Sequence, residues 1–288
     1  MRVLLTGSGI VGTALKKVLS EFELYPLDRE NLDISNKESV DKVFDSIKPE
    51  LVINAAAYTN VDGAEENKKE AMLVNGIAVG YMAAAAKKHN ALFVHYSTDY
   101  IFNGRNKDGY NEDARPAKTP LNVYGASKLL GEQELKKNTH NYYLIRTSWV
   151  FGEGGRDFVD TVLGLAEKGE MKIKDDEFGK PTYAKDLAQA TRALVAERMP
   201  YGIYHITNDG VTSWYEYAKK IIDIYGKKHG WKKDQYPRVL PVSAKEFSAP
   251  AARPSYSILN NTKFVTPRPW PEALDEYLET SFSKTTLV

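Results

Sequence analysis

Tyr124 and Lys128, four residues apart in PLNVYGASKLLGEQEL, have the types and spacing that suit proton chemistry. On a helix, residues i and i+4 share a face, so the Lys128 ammonium is expected beside the Tyr124 hydroxyl. A nearby cation favours the phenolate and is expected to lower a tyrosine pKa from its usual value of about 10. That would make Tyr124 a better acid or base near neutrality. Lys128 can also donate to the ribose of a nicotinamide nucleotide. Alone the pair is weak, because Tyr-x-x-x-Lys arises by chance in many helices, with the tyrosine packed and the lysine in solvent. It gains weight from STDY, Ser97 to Tyr100, at the end of an apolar run. There the Thr98 hydroxyl would hold a carbonyl oxygen while Tyr124 gives it a proton. Together these residues describe a hydride-transfer site.

Such a site needs a dinucleotide, and the chain opens on a loop that would hold one. Gly7, Gly9 and Gly12 form G-x-G-x-x-G in GSGIVG, directly after the apolar run RVLLT and before an amphipathic stretch. The first glycine allows a sharp turn, the second lets backbone approach a pyrophosphate, and the third lets helix and strand pack closely. The helix N-terminus adds amide donors and a positive dipole end. Asp28 ends the next strand and would accept from the adenosine ribose hydroxyls, which favours NAD. Arg29 follows at once and would pair with a 2′-phosphate, which favours NADP. Asp33 and Ile34 either bracket the adenine or belong to the loop before a capped helix.

The elements that must position these residues alternate. RVLLT, ELYPLD, LVINAAA, ALFVHYS and YYLIRTS read as strands. Helical patterns lie between them, including SNKESVDKVFDSIKPE with a capping box at Ser35 and Glu38, a dense alanine helix over 70–88, and the amphipathic Tyr124 helix. This pattern predicts an α/β fold, a doubly wound parallel sheet of the Rossmann type, over residues 1–150. Residues 151–288 are expected to form mainly a smaller α/β substrate-binding lobe, with some segments returning to pack on the first domain. Helices are expected over 157–168, 184–197 and 213–225, and a strand at GIYHIT.

Bulk properties narrow the class. A net charge of +1 gives no general attraction to nucleic acid or anionic membrane. The absence of cysteine excludes disulfides, thiol catalysis and thiolate metal sites. His95 and His205 sit in apolar runs and read as satisfied core histidines without metal-like spacing. With no signal-peptide h-region and no membrane-length apolar segment, a soluble cytoplasmic protein is expected.

The set GSGIVG, NAAAYTNVD, HYSTDYIFNG, PLNVYGASKLLGE, RTSWVFG and GKPT resembles the extended short-chain dehydrogenase/reductase superfamily. Within it the chain is similar, over nearly its whole length, to the dTDP-4-dehydrorhamnose reductase family. That resemblance implies NADPH- or NADH-dependent reduction of the 4-keto group of dTDP-4-dehydro-6-deoxy-L-mannose to dTDP-L-rhamnose. It implies a catalytic trio of Thr98, Tyr124 and Lys128, with Tyr124 the proton donor. Gly9, Ile10, Val11, Asp28, Asp33, Ile34, Ala57, Tyr58, Thr59, Tyr96, Tyr124 and Lys128 match cofactor-contacting positions. Thr98, Asp99 and Trp149 match substrate contacts, although a tryptophan after a strand is commonly core. Arg253 lies in a late motif and is expected to meet the substrate diphosphate.

Two departures refine this. Dehydratases of the superfamily carry an acid after the Thr-Asp pair, whereas here the residue is Tyr100, which argues for simple reduction. Some family members are dimers bridged by magnesium through glutamates; here those positions are Thr13 and Lys185, so a monomer or weak dimer without that metal is expected. One alternative is an NADP-binding regulatory subunit similar to that of methionine adenosyltransferase. Another is a different nucleotide-sugar reductase or epimerase.

Overall fold

Six parallel strands form the central sheet of the computed structural model, which describes residues 1–282. They are β1 (Arg2–Thr6), β2 (Glu23–Leu27), β3 (Leu51–Asn54), β4 (Leu92–Thr98), β5 (Tyr142–Thr147) and β6 (Gly202–His205). Their spatial order is β6-β5-β4-β3-β1-β2. The direction of winding reverses between β1 and β3, and in such sheets the crevice at the strands' carboxyl ends is the ligand site. The register sets those ends level: Thr6 lies opposite Asn54, and Thr98 opposite Thr147.

The main helices are α1 (Ile10–Val18), α2 (Lys37–Ile47), α3 (Ala78–Lys88), α4 (Val123–Asn138), α5 (Phe158–Ala166), α6 (Ala184–Ala196), α7 (Trp214–Lys228) and α8 (Trp270–Phe282). Successive strand side chains face opposite sides, which splits the sheet's apolar residues between two cores. Leu4, Val52, Phe93 and Leu144 pack with Val40 and Phe44 of α2, the alanines of α3 and Leu135 of α4. Leu5, Ile53, Val94 and Ile145 pack with Leu15 of α1 and Leu187 of α6. A third core joins α5, α7 and α8 around Tyr217, Ile221, Leu274 and Tyr277. Thus β6 and α6, both beyond residue 150, belong to the first body, while α5, α7 and α8 build the second.

Local chemistry shifts two expected boundaries. Asn36, not Ser35, caps α2: its side chain accepts from the Ser39 amide at 3.0 Å, while the Ser35 hydroxyl turns to Asp33. The helix expected over 70–88 is broken by a π-helical turn at Leu73–Ile77. That turn buries Asn75, whose side chain bonds both the amide and the carbonyl of Tyr58 (2.8 and 2.9 Å) and the Ser127 hydroxyl (3.0 Å). Such turns recur at functional sites; this one ties the loop after β3 to α4. Among the described residues no helix is long and apolar enough to cross a membrane.

Candidate active site

The glycine loop takes the form its spacing predicts. Gly7 has a left-handed φ of 93°, and a Cβ there would meet the Ala55–Ala56 backbone at 2.6 Å. A Cβ on Gly12 would collide with the Gly7 carbonyl, so α1 and the loop pack backbone to backbone. Gly9, by contrast, faces open space. It is also the N-cap of α1, without a side-chain cap. The first-turn amides of α1 are thereby left for an anion. This open backbone cradle fits a dinucleotide pyrophosphate.

Two cavities meet at this loop. One, of about 600 Å³, is lined by Gly9, Ile10 and Val11, by Tyr96, Thr98 and Asp99, and by Tyr124, Lys128 and Trp149. The other, of about 300 Å³, is lined by Gly7, Asp28, Arg29, Asp33, Ile34 and Tyr58. Gly9, Ala57 and Thr59 line both, so the two form one cleft. Every expected site residue lines it except Gly12, whose role is packing, and Arg253. Arg253 instead grips Asp62 with two nitrogens, at 2.7 and 3.1 Å. Each partner favours the other's charge: the Arg253 hydrogen bond lowers the Asp62 pKa, and Asp62 raises that of Arg253.

Asn122 caps α4 by accepting from the Gly125 amide at 2.7 Å. The helix is less simply amphipathic than its sequence suggests. Its buried residues are Gly125, Ser127, Lys128, Gly131, Glu132 and Leu135. Small residues let it approach the π turn closely: a Cβ on Gly131 would lie 2.2 Å from the Asn75 carbonyl. The charged ones meet the sheet. Lys128 Nζ donates to the Tyr96 carbonyl at 2.6 Å. One turn on, Glu132 accepts from Ser97 Oγ (2.7 Å) and, through two oxygens, from Arg146 Nε and Nη2 (2.9 and 2.8 Å). Arg146 and Glu132 are fully buried, and removing one partner of such a pair costs about 3–5 kcal/mol.

The electrostatics correct one expectation. Burial, then the Asp99 carboxylate, push the Tyr124 phenol up to about 12, with the Thr98 hydroxyl opposing. Lys128 is not among the causes of this shift; its ammonium donates to the Tyr96 carbonyl. Burial lowers Lys128 itself to about 8, against the pull of Glu132. Burial likewise raises Asp99 to about 6, partly offset by the Ser257 and Thr98 hydroxyls. Among the described residues Asp99 Oδ2 is buried without a hydrogen-bond partner. Thr98 Oγ1 donates to Asp99 Oδ1 at 2.8 Å and accepts from the Tyr100 amide, so it meets a substrate oxygen only by turning away from Asp99. Tyr100 packs edge-on against Tyr124, and burial raises its pKa further, leaving it a neutral phenol.

The smaller cavity differs. Asp28 Oδ1 accepts from the Asn31 side chain at 2.8 Å and from the Glu30 and Asn31 amides, contacts that lower its pKa. Asp33 closes its own turn on Ser35. Arg29 reaches Glu70 at 3.7 Å, with both side chains largely in solvent.

Sequence reasoning missed Trp214, which lines the large cavity and stacks on Trp149 at 3.5 Å between ring centroids. Trp149 has a left-handed φ of 46° and packs so closely on Gly179 that a Cβ there would lie 2.5 Å from the indole. Trp214 falls within the helix expected over 213–225, and no local signal marked its cavity face. Of the histidines, His205 donates to or accepts from its neighbours as a core residue, with Nδ1 3.2 Å from the Asn260 carbonyl. His95 is only half satisfied: Nδ1 lies 3.2 Å from Asn54, and Nε2 has no partner among the described residues.

Comparison with known proteins places this geometry. A family model described as the RmlD substrate binding domain matches residues 1–282. The spore coat polysaccharide biosynthesis protein SpsK of Bacillus subtilis is 39% identical over 96% of this chain and 97% of its own length. A dTDP-4-dehydrorhamnose reductase of Burkholderia thailandensis is 40% identical over 91% of each chain. The crystal structure of the dTDP-4-dehydrorhamnose reductase of Bacillus anthracis in complex with NADP is similar with a TM-score of 0.89. It is 39% identical and covers 96% of this chain and 98% of its own.

Proposed function

The chain belongs to the RmlD substrate binding domain family, and from that premise we propose that it reduces the 4-keto group of dTDP-4-dehydro-6-deoxy-L-mannose to dTDP-L-rhamnose. The observation that carries the proposal is the meeting of Thr98, Tyr124 and Lys128 in one cavity with the glycine loop. NADPH or NADH, when bound, supplies the hydride. The amides at the start of α1 take its pyrophosphate. Lys128, anchored on the Tyr96 carbonyl, would offer its remaining donors to the nicotinamide ribose. Asp28 and Arg29 stand at the adenosine end, where they set the preference between the two cofactors.

A phenol with a pKa near 12 keeps its proton at neutral pH. The alkoxide formed as the carbonyl accepts a hydride is a stronger base than phenolate, so the proton moves downhill from Tyr124 to the substrate oxygen. The shift leaves Tyr124 protonated, as a residue that gives a proton must be. Thr98 turns its hydroxyl to the same oxygen, and Asp99 and Trp149 bound the sugar. Tyr100, a neutral phenol, offers no base for elimination, which favours reduction over dehydration. The reaction is assigned to the cytoplasm and to a monomer or weak dimer. Lys185 is paired with Glu276 and Thr13 packs under Gly154, which argues against carboxylate-held magnesium at these positions.

The test is NADPH consumption by purified protein with and without the keto-sugar, with the product identified by NMR. Consumption that depends on the keto-sugar and yields dTDP-L-rhamnose is expected. Cofactor binding without turnover would overturn the enzyme reading and favour a regulatory binding role. A different product would favour another nucleotide-sugar reductase or epimerase.

A further inference from the structure

Two cationic side chains line the large cavity, Lys128 and Arg156. Lys128 is buried and committed to the Tyr96 carbonyl. Arg156 is exposed, on the loop between Phe151 and α5, and its guanidinium has no hydrogen bond or ion pair among the described residues. The acids flanking it are already engaged. Glu153 pairs with Lys17 of α1. Asp157 accepts from the Gly152, Val159 and Asp160 amides, so it closes the loop and caps α5. The fold therefore leaves one positive charge of this loop uncompensated at the cavity wall.

The loop is also moulded onto the start of α1. A Cβ on Gly154 would strike the Thr13 side chain at 2.1 Å, and one on Gly155 would lie 3.1 Å from Ile10. Ile10 is the first residue of α1, whose open amides face the same cavity. Glycine at both positions thus brings Arg156 close to where an anion at the helix N-terminus would sit.

We propose that Arg156 is a binding residue for the cofactor's diphosphate, closing from the second body the anion site that the glycine loop and α1 open from the first. It rests on the function proposed above only in requiring a dinucleotide. The alternative source of the same chemistry is the diphosphate of the nucleotide sugar, held elsewhere in the cavity. The guanidinium fork suits two phosphate oxygens, and an exposed charge-assisted contact of this kind corresponds to roughly a tenfold change in affinity.

The experiment is titration of wild-type protein, Arg156→Ala and Arg156→Lys with NADPH, read by fluorescence, and with dTDP, read by calorimetry. The Arg156→Ala variant is expected to bind NADPH about tenfold more weakly. The deficit should shrink as salt rises and be partly restored by lysine, with dTDP affinity unchanged. Unchanged NADPH affinity overturns the inference, as does a loss confined to dTDP. Wild-type protein that binds no NADPH at all would instead count against the proposed function itself.

Discussion

At the proposed nicotinamide end of the cleft, Tyr124, Lys128 and Asp99 are enclosed, and burial is the leading cause of all three pKa shifts. At the proposed adenosine end, Asp28 and Arg29 are exposed, and the Asp28 shift comes first from the Asn31 side chain. Desolvation acts only where water is excluded. One end therefore controls proton affinity through burial, and the other presents ordinary charges to a ligand. In the proposed reaction, proton chemistry belongs to the first and cofactor choice to the second. Substitutions at the buried end should change rate and stability by several kcal/mol. Those at the open end should change affinity by a fraction of that.

The largest effect is expected at Tyr124. Replacing it with phenylalanine should lower kcat by roughly 10²–10⁴-fold while NADPH binding, measured by fluorescence, is largely kept. A rate near that of the wild type would remove Tyr124 from the acid role. Glu132→Ala should come next, leaving Arg146 buried without its partner and costing about 3–5 kcal/mol in denaturant unfolding. A loss below 1 kcal/mol would mean that the pair behaves like a surface bridge.

Asp99 gives a pH test with a definite sign. Its folded-state value of about 6 lies above the ordinary 3.8, so the folded protein holds that proton more tightly than the unfolded chain. The stability this supplies is fully present below about pH 3.8 and is lost as pH rises through about 6. The complete shift corresponds to roughly 3 kcal/mol. Asp99→Asn should therefore raise Tm most above pH 7, with the gain shrinking toward pH 4, while activity falls. A gain independent of pH would contradict the burial argument. The smallest effects are expected at the open end. Asp28→Ala should weaken NADH more than NADPH, and Arg29→Ala the reverse, each by several-fold in KM. Equal losses for both cofactors would show that neither residue reads the ribose.

What was legible in the sequence follows the same division. The glycine loop, the alternation of strands and helices, and Tyr124 with Lys128 are local patterns, and local spacing determines where they fall. Lys128 was placed on the right face, but its partner was not: the Tyr96 carbonyl lies on β4, and nothing near Lys128 in sequence announces it. Glu132 and Arg146 look like ordinary surface charges, and only the packing of α4 on the sheet makes them a buried pair. Asn75 acquires its role because a π turn, invisible in an alanine-rich run, swings it toward Tyr58. The motif around Arg253 did not announce its pair with Asp62, a contact between segments almost 200 residues apart. Long-range polar pairing was thus the part that periodicity did not carry.

The central claim is that burial separates a tyrosine that stays protonated from a lysine that titrates near neutrality. The pH dependence of kcat/KM for NADPH, measured with saturating keto-sugar, tests it most directly. Lys128 loses its charge as pH rises through about 8, whereas Tyr124 holds its proton to about 12. The account predicts a high-pH decline centred near pH 8 that moves upward in Lys128→Arg. A flat profile through pH 9, or a decline that stays in place in that variant, would contradict it.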